Sequence, residues 1–224
     1  MDWEAIWLSA RLAAATAAVL FAVGLPVAWW LSASRWRFKF LVEAIVALPL
    51  VLPPTVLGFY VLVGIGPRSP VGAAYEAVAG HGLAFTFEGL LVASVLYSLP
   101  FTVQPFATAF AGVDRRLVEA SHCLGVSRLE TFARVVLPLA WPGVLSGVIL
   151  SFAHTLGEFG VVLMVGGNLR GETRTASISI YDHVQSLDYA SAGATSLVLL
   201  AISFVVLSIT YALQRRVWTI WPAS

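Results

Sequence analysis

The chain has 224 residues, of which 59% are hydrophobic and only 11% charged. A soluble globular domain carries about 25% charged residues, so this chain lacks the charge to cover a water-facing surface, and lipid must do the covering. The formal net charge of +1 excludes nucleic acid as a partner, since that needs a basic stripe, and the lone Cys123 excludes a disulfide framework or a thiolate metal site.

The N-terminus, MDWEAIW, is acidic, and the apolar run behind it is too long for a signal-peptide core, so no cleaved leader is expected. A helix needs about 20 apolar residues to cross a bilayer core. Five stretches qualify, at 6–31, 43–66, 89–113, 139–165 and 190–213. Residues 72–87, with Ala73, Ala74, Tyr75, Ala77 and Val78, are moderately apolar and are expected to form a short interfacial or re-entrant helix that does not span. The expected fold class is an all-α polytopic membrane protein in one domain, 1–224, with five transmembrane helices, or six if 72–87 is counted. Pro26, Pro49, Pro53, Pro54, Pro100, Pro105 and Pro142 fall in or beside the spans, and each frees a backbone carbonyl. The plain reading is helix shaping in a tight bundle; the sharper one is a hinge.

Charge sets the orientation. Arg35, Arg37 and Lys39 follow the first span, Arg115, Arg116, Arg128 and Arg134 the third, and Arg215 and Arg216 the fifth. The other connections hold Arg68, Arg170 and Arg174 beside Glu76, Glu88, Glu172, Asp182 and Asp188. By the positive-inside rule the N-terminus lies outside, and the C-terminus and the polar insert 114–138 lie in the cytoplasm.

That insert reads DRRLVEASHCLGVSRLETFARVVLP. Asp114 is a good N-cap for a helix through Cys123, and Gly125 stands where a left-handed C-terminal residue belongs. Ser127 opens a second helix, with Glu130 three residues on as a capping box. Leu137-Pro138 is expected to end it, because the residue before proline is pushed out of the helical region. In the first helix Leu117, Ala120, Ser121 and Leu124 form a small apolar face, while Arg116, Glu119 and His122 point elsewhere.

Glu119-Ala120-Ser121, Gly125 at the seventh position and Val135-Val136-Leu137-Pro138 resemble the EAA loop of ABC importer permeases, departing from it at Ser121 and Val135. The resemblance implies a type I, MetI-like permease fold. It also implies a coupling helix that docks on a cytoplasmic ATPase, with Glu119, Ala120, Ser121, Gly125, Leu137 and Pro138 as the coupling residues. Further segments resemble the molybdate branch of that family: Leu48-Pro49-Leu50-Val51-Leu52-Pro53-Pro54, Leu156-Gly157-Glu158-Phe159-Gly160, Gly171-Glu172-Thr173-Arg174-Thr175, Ser179-Ile180-Tyr181-Asp182 and the run from Asp188 to Ala194. Tungstate and sulfate or thiosulfate permeases are the neighbouring alternatives.

What the resemblance implies is a non-catalytic subunit of the cytoplasmic (inner) membrane, with no catalytic residue, metal or cofactor of its own. ATP and magnesium would sit on a dimer of ATPase subunits, and a periplasmic or extracytoplasmic oxyanion-binding protein would deliver the cargo. Five spans are too few for a whole pathway, so a second copy is expected about a two-fold axis. Arg170 and Arg174 are candidates for docking the binding protein or steering the anion, with ordinary surface arginines as the plain alternative.

In the fourth span Gly147, Ser151, His154 and Glu158 recur at spacings that put them on one helix face, and Ser94, Ser98 and Thr102 form a hydroxyl row in the third. An ionisable residue within a span faces the bundle interior or a water-filled path. These residues are therefore candidates for a pathway or gate, against the plainer role of interhelical hydrogen bonding. A charged Glu158 would repel a divalent oxyanion, so it is expected to be protonated, or bonded to His154, Arg174 or a broken-helix backbone, holding the outer gate together.

Two rivals are weaker. Gly143-Val144-Leu145-Ser146-Gly147 is one residue too long for a protease Gly-x-Ser-Gly site, and His154 lies about 12 Å further along the same helix. An ion-coupled secondary transporter would show repeated halves and mid-membrane carboxylates, and only Glu158 comes near that. No Gly-Lys-Ser/Thr phosphate loop is present, since Lys39 follows Phe38.

Overall fold

A chain inside lipid must satisfy its own backbone hydrogen bonds, and this one does so with helices. A computed structural model describes residues 1–220, with side chains described as far as residue 212; Arg215 and Arg216 therefore lie outside the described side chains, and residues 221–224 outside the described residues. In chain order the helices are α1 (Trp3–Ala33), α2 (Lys39–Val51), α3 (Pro54–Ile65), α4 (Pro70–Ala79), α5 (Phe87–Ala111), α6 (Arg115–Cys123) and α7 (Arg128–Thr131). A π-turn over Phe132–Val136 follows, then α8 (Leu137–Leu156), α9 (Gly160–Gly166), α10 (Ala176–Gln185) and α11 (Tyr189–Ile220).

The trunk is α1, α5 and α8. Lipid tails are as apolar as leucine, so helices associate in a bilayer by close packing rather than by hiding from water. Small residues permit it here. A Cβ on Gly24 of α1 would come within 2.9 Å of Thr102, and one on Gly147 of α8 within 2.7 Å of the Phe106 ring. A Cβ on Gly143 would collide with that of Ala109. Phe106, with no exposed surface, fills the space between α1 and α8, joined by Ala28, Val103, Phe110, Ala140 and Val144.

Four described helices are long and apolar enough to cross a bilayer, five if α2 and α3 count as one span. The second span, expected over 43–66 with Pro49, Pro53 and Pro54 shaping it, is broken: α3 bends 115° away from α2. The break falls at Leu52-Pro53, with Pro54 in the first turn of α3. Its two halves still traverse the trunk. Val46 of α2 clusters with Phe106 and Phe110 near the end of α5, whereas Val61 and Ile65 of α3 cluster with Ala93 near its start.

The fourth span, expected over 139–165, is broken as well, since α8 stops at Leu156 and α9 begins at Gly160. The two breaks touch: a Cβ on Gly160 would lie 2.7 Å from that of Pro54. Pro26, Pro49, Pro100, Pro105 and Pro142 stay inside their helices.

The short apolar segment after the second span forms α4, whose 10 residues reach only about 15 Å. No sixth crossing is formed among the described residues. Ser69 caps α4 by accepting from the Gly72 N–H at 2.8 Å, and Gly80 closes it at a φ of 76°. Helix α10, in the connection before α11, is an element that the apolar pattern did not announce.

The trunk packing makes a stability prediction. Gly147→Val should destabilise the protein by about 1–3 kcal/mol, the usual cost of overpacking, seen as a lowered melting temperature in detergent. Gly193→Ala, inside α11 where an added Cβ meets nothing within 4 Å, should not lower melting and should raise it slightly through alanine's helix propensity.

Candidate functional site

The polar insert is built as two capped helices. Asp114 accepts from the Arg116 N–H at 2.9 Å to start α6, and Ser127 accepts from the Glu130 N–H at 3.3 Å to start α7. Between them Gly125 sits at a φ of 78°, the left-handed region that glycine enters without strain. The Glu130 side chain reaches forward to Arg134 at 3.2 Å, and the reciprocal half of the capping box is not formed among the described residues.

The second insert helix does not end at Leu137-Pro138. Leu137 keeps helical angles (φ −62°, ψ −45°), and its N–H bonds the Phe132 carbonyl five residues back. The π-turn shifts the ladder register so that Pro138 enters in the first turn of α8, where a missing N–H is best tolerated. Residues Arg128–Leu156 thus form one continuous 29-residue helical rod. Packing holds the π-turn in place. The Phe132 ring lies 4.6 Å from Trp29 of α1 and 5.4 Å from Phe110 of α5.

The apolar face expected on α6 is split, with only Ser121 buried. Leu117 is 48% exposed and Leu124 83%, joined by Leu129 of α7 at 70%, while Glu119, Ala120 and Gly125 are exposed beside them. What faces inward is Ser121, buried, with Val118 and Val126 half-buried. The Ser121 hydroxyl lies 2.9 Å from that of Thr131, also buried, and this bond ties α6 to α7. Ser121 therefore has a structural use that alanine could not supply. Thr131 and Phe132 escape sequence reading because their partners sit on other helices. Of the remaining loop residues, Leu137 is half-buried and Pro138 exposed.

The hydroxyl row and the polar stripe meet in one buried seam between α5 and α8. Ser94, Ser98, Thr102 and Ser151 have no exposed surface. The Ser98 hydroxyl contacts His154 Nδ1 and the Thr155 hydroxyl, each at 2.9 Å. The His154 ring stacks on Phe101 at 3.9 Å and lies 4.8 Å from Tyr97. Ser151 bonds its own helix at Val148. Thr155, one residue off the predicted stripe, is a member that the helical spacing missed.

Glu158 stands in the break between α8 and α9, 4% exposed, with Ser94 beside it. Neither of its carboxyl oxygens meets a hydrogen-bond partner among the described residues, so the expected bond to His154, Arg174 or a broken-helix backbone is not made there. Closed off within one chain, the seam is a helix–helix contact, and an anion could reach it only if the trunk parted.

Arg174 is likewise not on the surface. It is 4% exposed, with Nη2 at 2.7 Å and Nε at 3.4 Å from the carboxylates of Asp182 and Asp2. Asp2 also accepts from the Ser179 hydroxyl at 2.9 Å and caps α1 through the Ala5 N–H at 3.1 Å. Ser9 of α1 accepts from the Ala176 N–H at 2.8 Å. Arg174 thus clamps α10 to the start of α1. Arg170 remains exposed, at the rim of an open cavity of about 390 Å³ that Trp3, Glu4 and His183 also line. Partial burial would raise the Asp2 pKa, but the bonds from Ala5 and Ser179 and the arginine charges outweigh it and hold the group below its ordinary value.

Comparison with known proteins agrees with this architecture. The family described as binding-protein-dependent transport system inner membrane component matches residues 15–219. The molybdenum transport system permease protein ModB of Azotobacter vinelandii is 49% identical over 214 residues, 96% of this chain and 95% of that protein. The ModB of Escherichia coli K12 is 35% identical over 210 residues, covering 93% and 90%. Among solved structures, a chain of the inward-facing MetNI methionine ABC transporter superposes with a TM-score of 0.74 at 17% identity, covering 95% of this chain and 94% of that one. At that identity the likeness is one of fold: the MetI-like fold of type I importer permeases.

Two outcomes follow from the site. Ser121→Ala, which orphans the buried Thr131 hydroxyl, should cost about 1 kcal/mol and speed amide exchange in α6 and α7 but not in α5. Asp2 binds its proton more weakly folded than unfolded, so its stabilisation is full above the ordinary value of 3.8 and is lost as pH falls through the folded value. Asp2→Asn should melt lower than wild type at neutral pH, and the gap should narrow in acid.

Proposed function

The chain belongs to the family of binding-protein-dependent transport system inner membrane components, and we propose that it is the membrane-embedded permease subunit of an ATP-driven importer of molybdate. Likeness to molybdenum permeases over nearly the whole chain supports the cargo. The observation that carries the drive is the insert itself. Its two capped helices leave Leu117, Leu124 and Leu129 exposed beside Glu119 and Gly125, an apolar surface of the kind a protein partner covers.

In this reading two copies pair about a two-fold axis, and each insert docks one cytoplasmic ATPase subunit, which holds ATP and magnesium. The N-terminus lies outside, as supported by Arg35, Arg37 and Lys39 after α1 and the four arginines of the insert. Closure of the ATPases on ATP draws the inserts together. Because α7, the π-turn and α8 are continuous, that motion passes into the trunk without a joint. The swivel points are the two helix breaks, which pack on each other at Pro54 and Gly160. A binding protein delivers the oxyanion to the outer face, where Arg170 is the exposed cation available to meet it. The chain holds no catalytic group or cofactor of its own in this scheme.

Uptake into proteoliposomes tests both parts. Glu119→Arg, and separately Gly125→Pro, should abolish ATP-driven molybdate uptake while the permease still inserts in the membrane. Wild-type uptake with the ATPase still bound in both variants would overturn the coupling role. In competition, molybdate should outcompete sulfate and tungstate; dominance of either rival would move the cargo to that oxyanion.

A further inference from the structure

We propose that the connection between α1 and α2 is a binding site for the headgroup of an anionic phospholipid. Four exposed rings make a continuous ladder there. Trp30 lies 6.0 Å from Trp36, Trp36 lies 5.8 Å from Phe38, and Phe38 lies 6.4 Å from Phe40, centroid to centroid. Each ring is between 42% and 55% exposed, which is where amphipathic aromatics sit at a membrane–water boundary.

Two arginines, Arg35 and Arg37, belong to the same short connection. Arg35 and Arg37 are exposed, and neither is paired with a carboxylate among the described residues. Arg37 lies over the Phe38 ring at 5.0 Å. Lys39 is otherwise engaged, 3.4 Å from the Leu31 carbonyl and 3.5 Å from Glu43, so the two arginines carry the uncompensated charge. A guanidinium fork matches a phosphate's oxygens in a way that a lysine cannot.

Position selects lipid over protein as the occupant. Helix α1 ends at Ala33 and α2 starts at Lys39, so residues 34–38 are too few to rise clear of the headgroup layer. The insert, by contrast, is long enough to stand out from it. Beyond the arginines the exposed surface continues down α2 as Leu41, Ile45 and Leu48, an apolar strip on which acyl chains can lie. Trp29, one residue before the ladder, turns inward onto Phe132. Headgroup binding would therefore fix the end of the helix that braces the insert.

Native mass spectrometry of the purified full-length permease, titrated with phosphatidylglycerol and with phosphatidylcholine, tests the site. Wild type should retain phosphatidylglycerol preferentially. Arg35→Gln with Arg37→Gln should cut that preference by roughly tenfold or more, since each cation near a membrane surface contributes about a fivefold factor. Arg35→Lys with Arg37→Lys, which keeps the charge and loses the fork, should fall between the two. Arg68→Gln, an exposed arginine elsewhere, should change nothing. Equal retention of the two lipids by wild type, or an undiminished preference in the Gln double variant, would overturn the proposal. So would loss of a bound ATPase or of a second copy in that variant with lipid retention intact, because the patch would then face a protein.

Discussion

The rest of the molecule hangs on the grip that two glycines take on one phenylalanine. Phe106 projects from α5 into the angle between α1 and α8, and Gly24 and Gly147 let both neighbours approach its ring. In lipid there is little hydrophobic drive between helices, so association rests on such close contacts and on polar bonds across the seam. Here the two kinds sit side by side. Thr102, one turn before Phe106, touches Gly24, and Ser98 another turn earlier bonds His154 and Thr155. A trunk held this tightly permits looseness elsewhere. The second span is interrupted, and so is the fourth where it leaves the trunk at Leu156; the two interruptions lean on each other at Pro54 and Gly160.

Much of this was legible in the residues. The first, third and fifth apolar stretches became α1, α5 and α11, and the caps at Asp114 and Ser127 and the left-handed Gly125 fell where local rules put them. Those features depend on neighbours in sequence. The failures depend on neighbours in space. Hydropathy runs unbroken across 139–165, so it hides the stop at Leu156, although Gly157 and Gly160 around Glu158 were a signal of irregular backbone. The proline rule stopped the second insert helix at Leu137, but a π-turn pinned by Trp29 and Phe110 overrode it. Arg174 read as a surface cation because Asp2, its partner, lies at the far end of the chain.

The N-terminal end of the trunk is organised by that same long-range pairing. Asp2 caps α1, receives the Ser179 hydroxyl and meets the Arg174 guanidinium, so one carboxylate at the N-terminus fixes the placement of α10. The Gly-Glu-Thr-Arg-Thr segment, which reads as a motif for recognition, spends its arginine on this clamp and Thr173 on the Gly166 carbonyl at 2.6 Å. Arg170, just upstream, stays exposed.

The unjointed rod from Arg128 to Leu156 has a mechanical meaning. At 1.5 Å per residue, Gly147 lies roughly 28 Å from the insert end at Arg128 and roughly 14 Å from the other end at Leu156. Gly147 is also where the rod is pinned, against Phe106. A stiff beam pivoting there works as a seesaw with arms of about two to one. In the importer proposed above, a displacement imposed at the insert would arrive at the Glu158 break reversed in direction, about half as large and with about twice the force. That is the gearing needed to part a close-packed seam from a distance, and it is set by where along α8 one glycine stands.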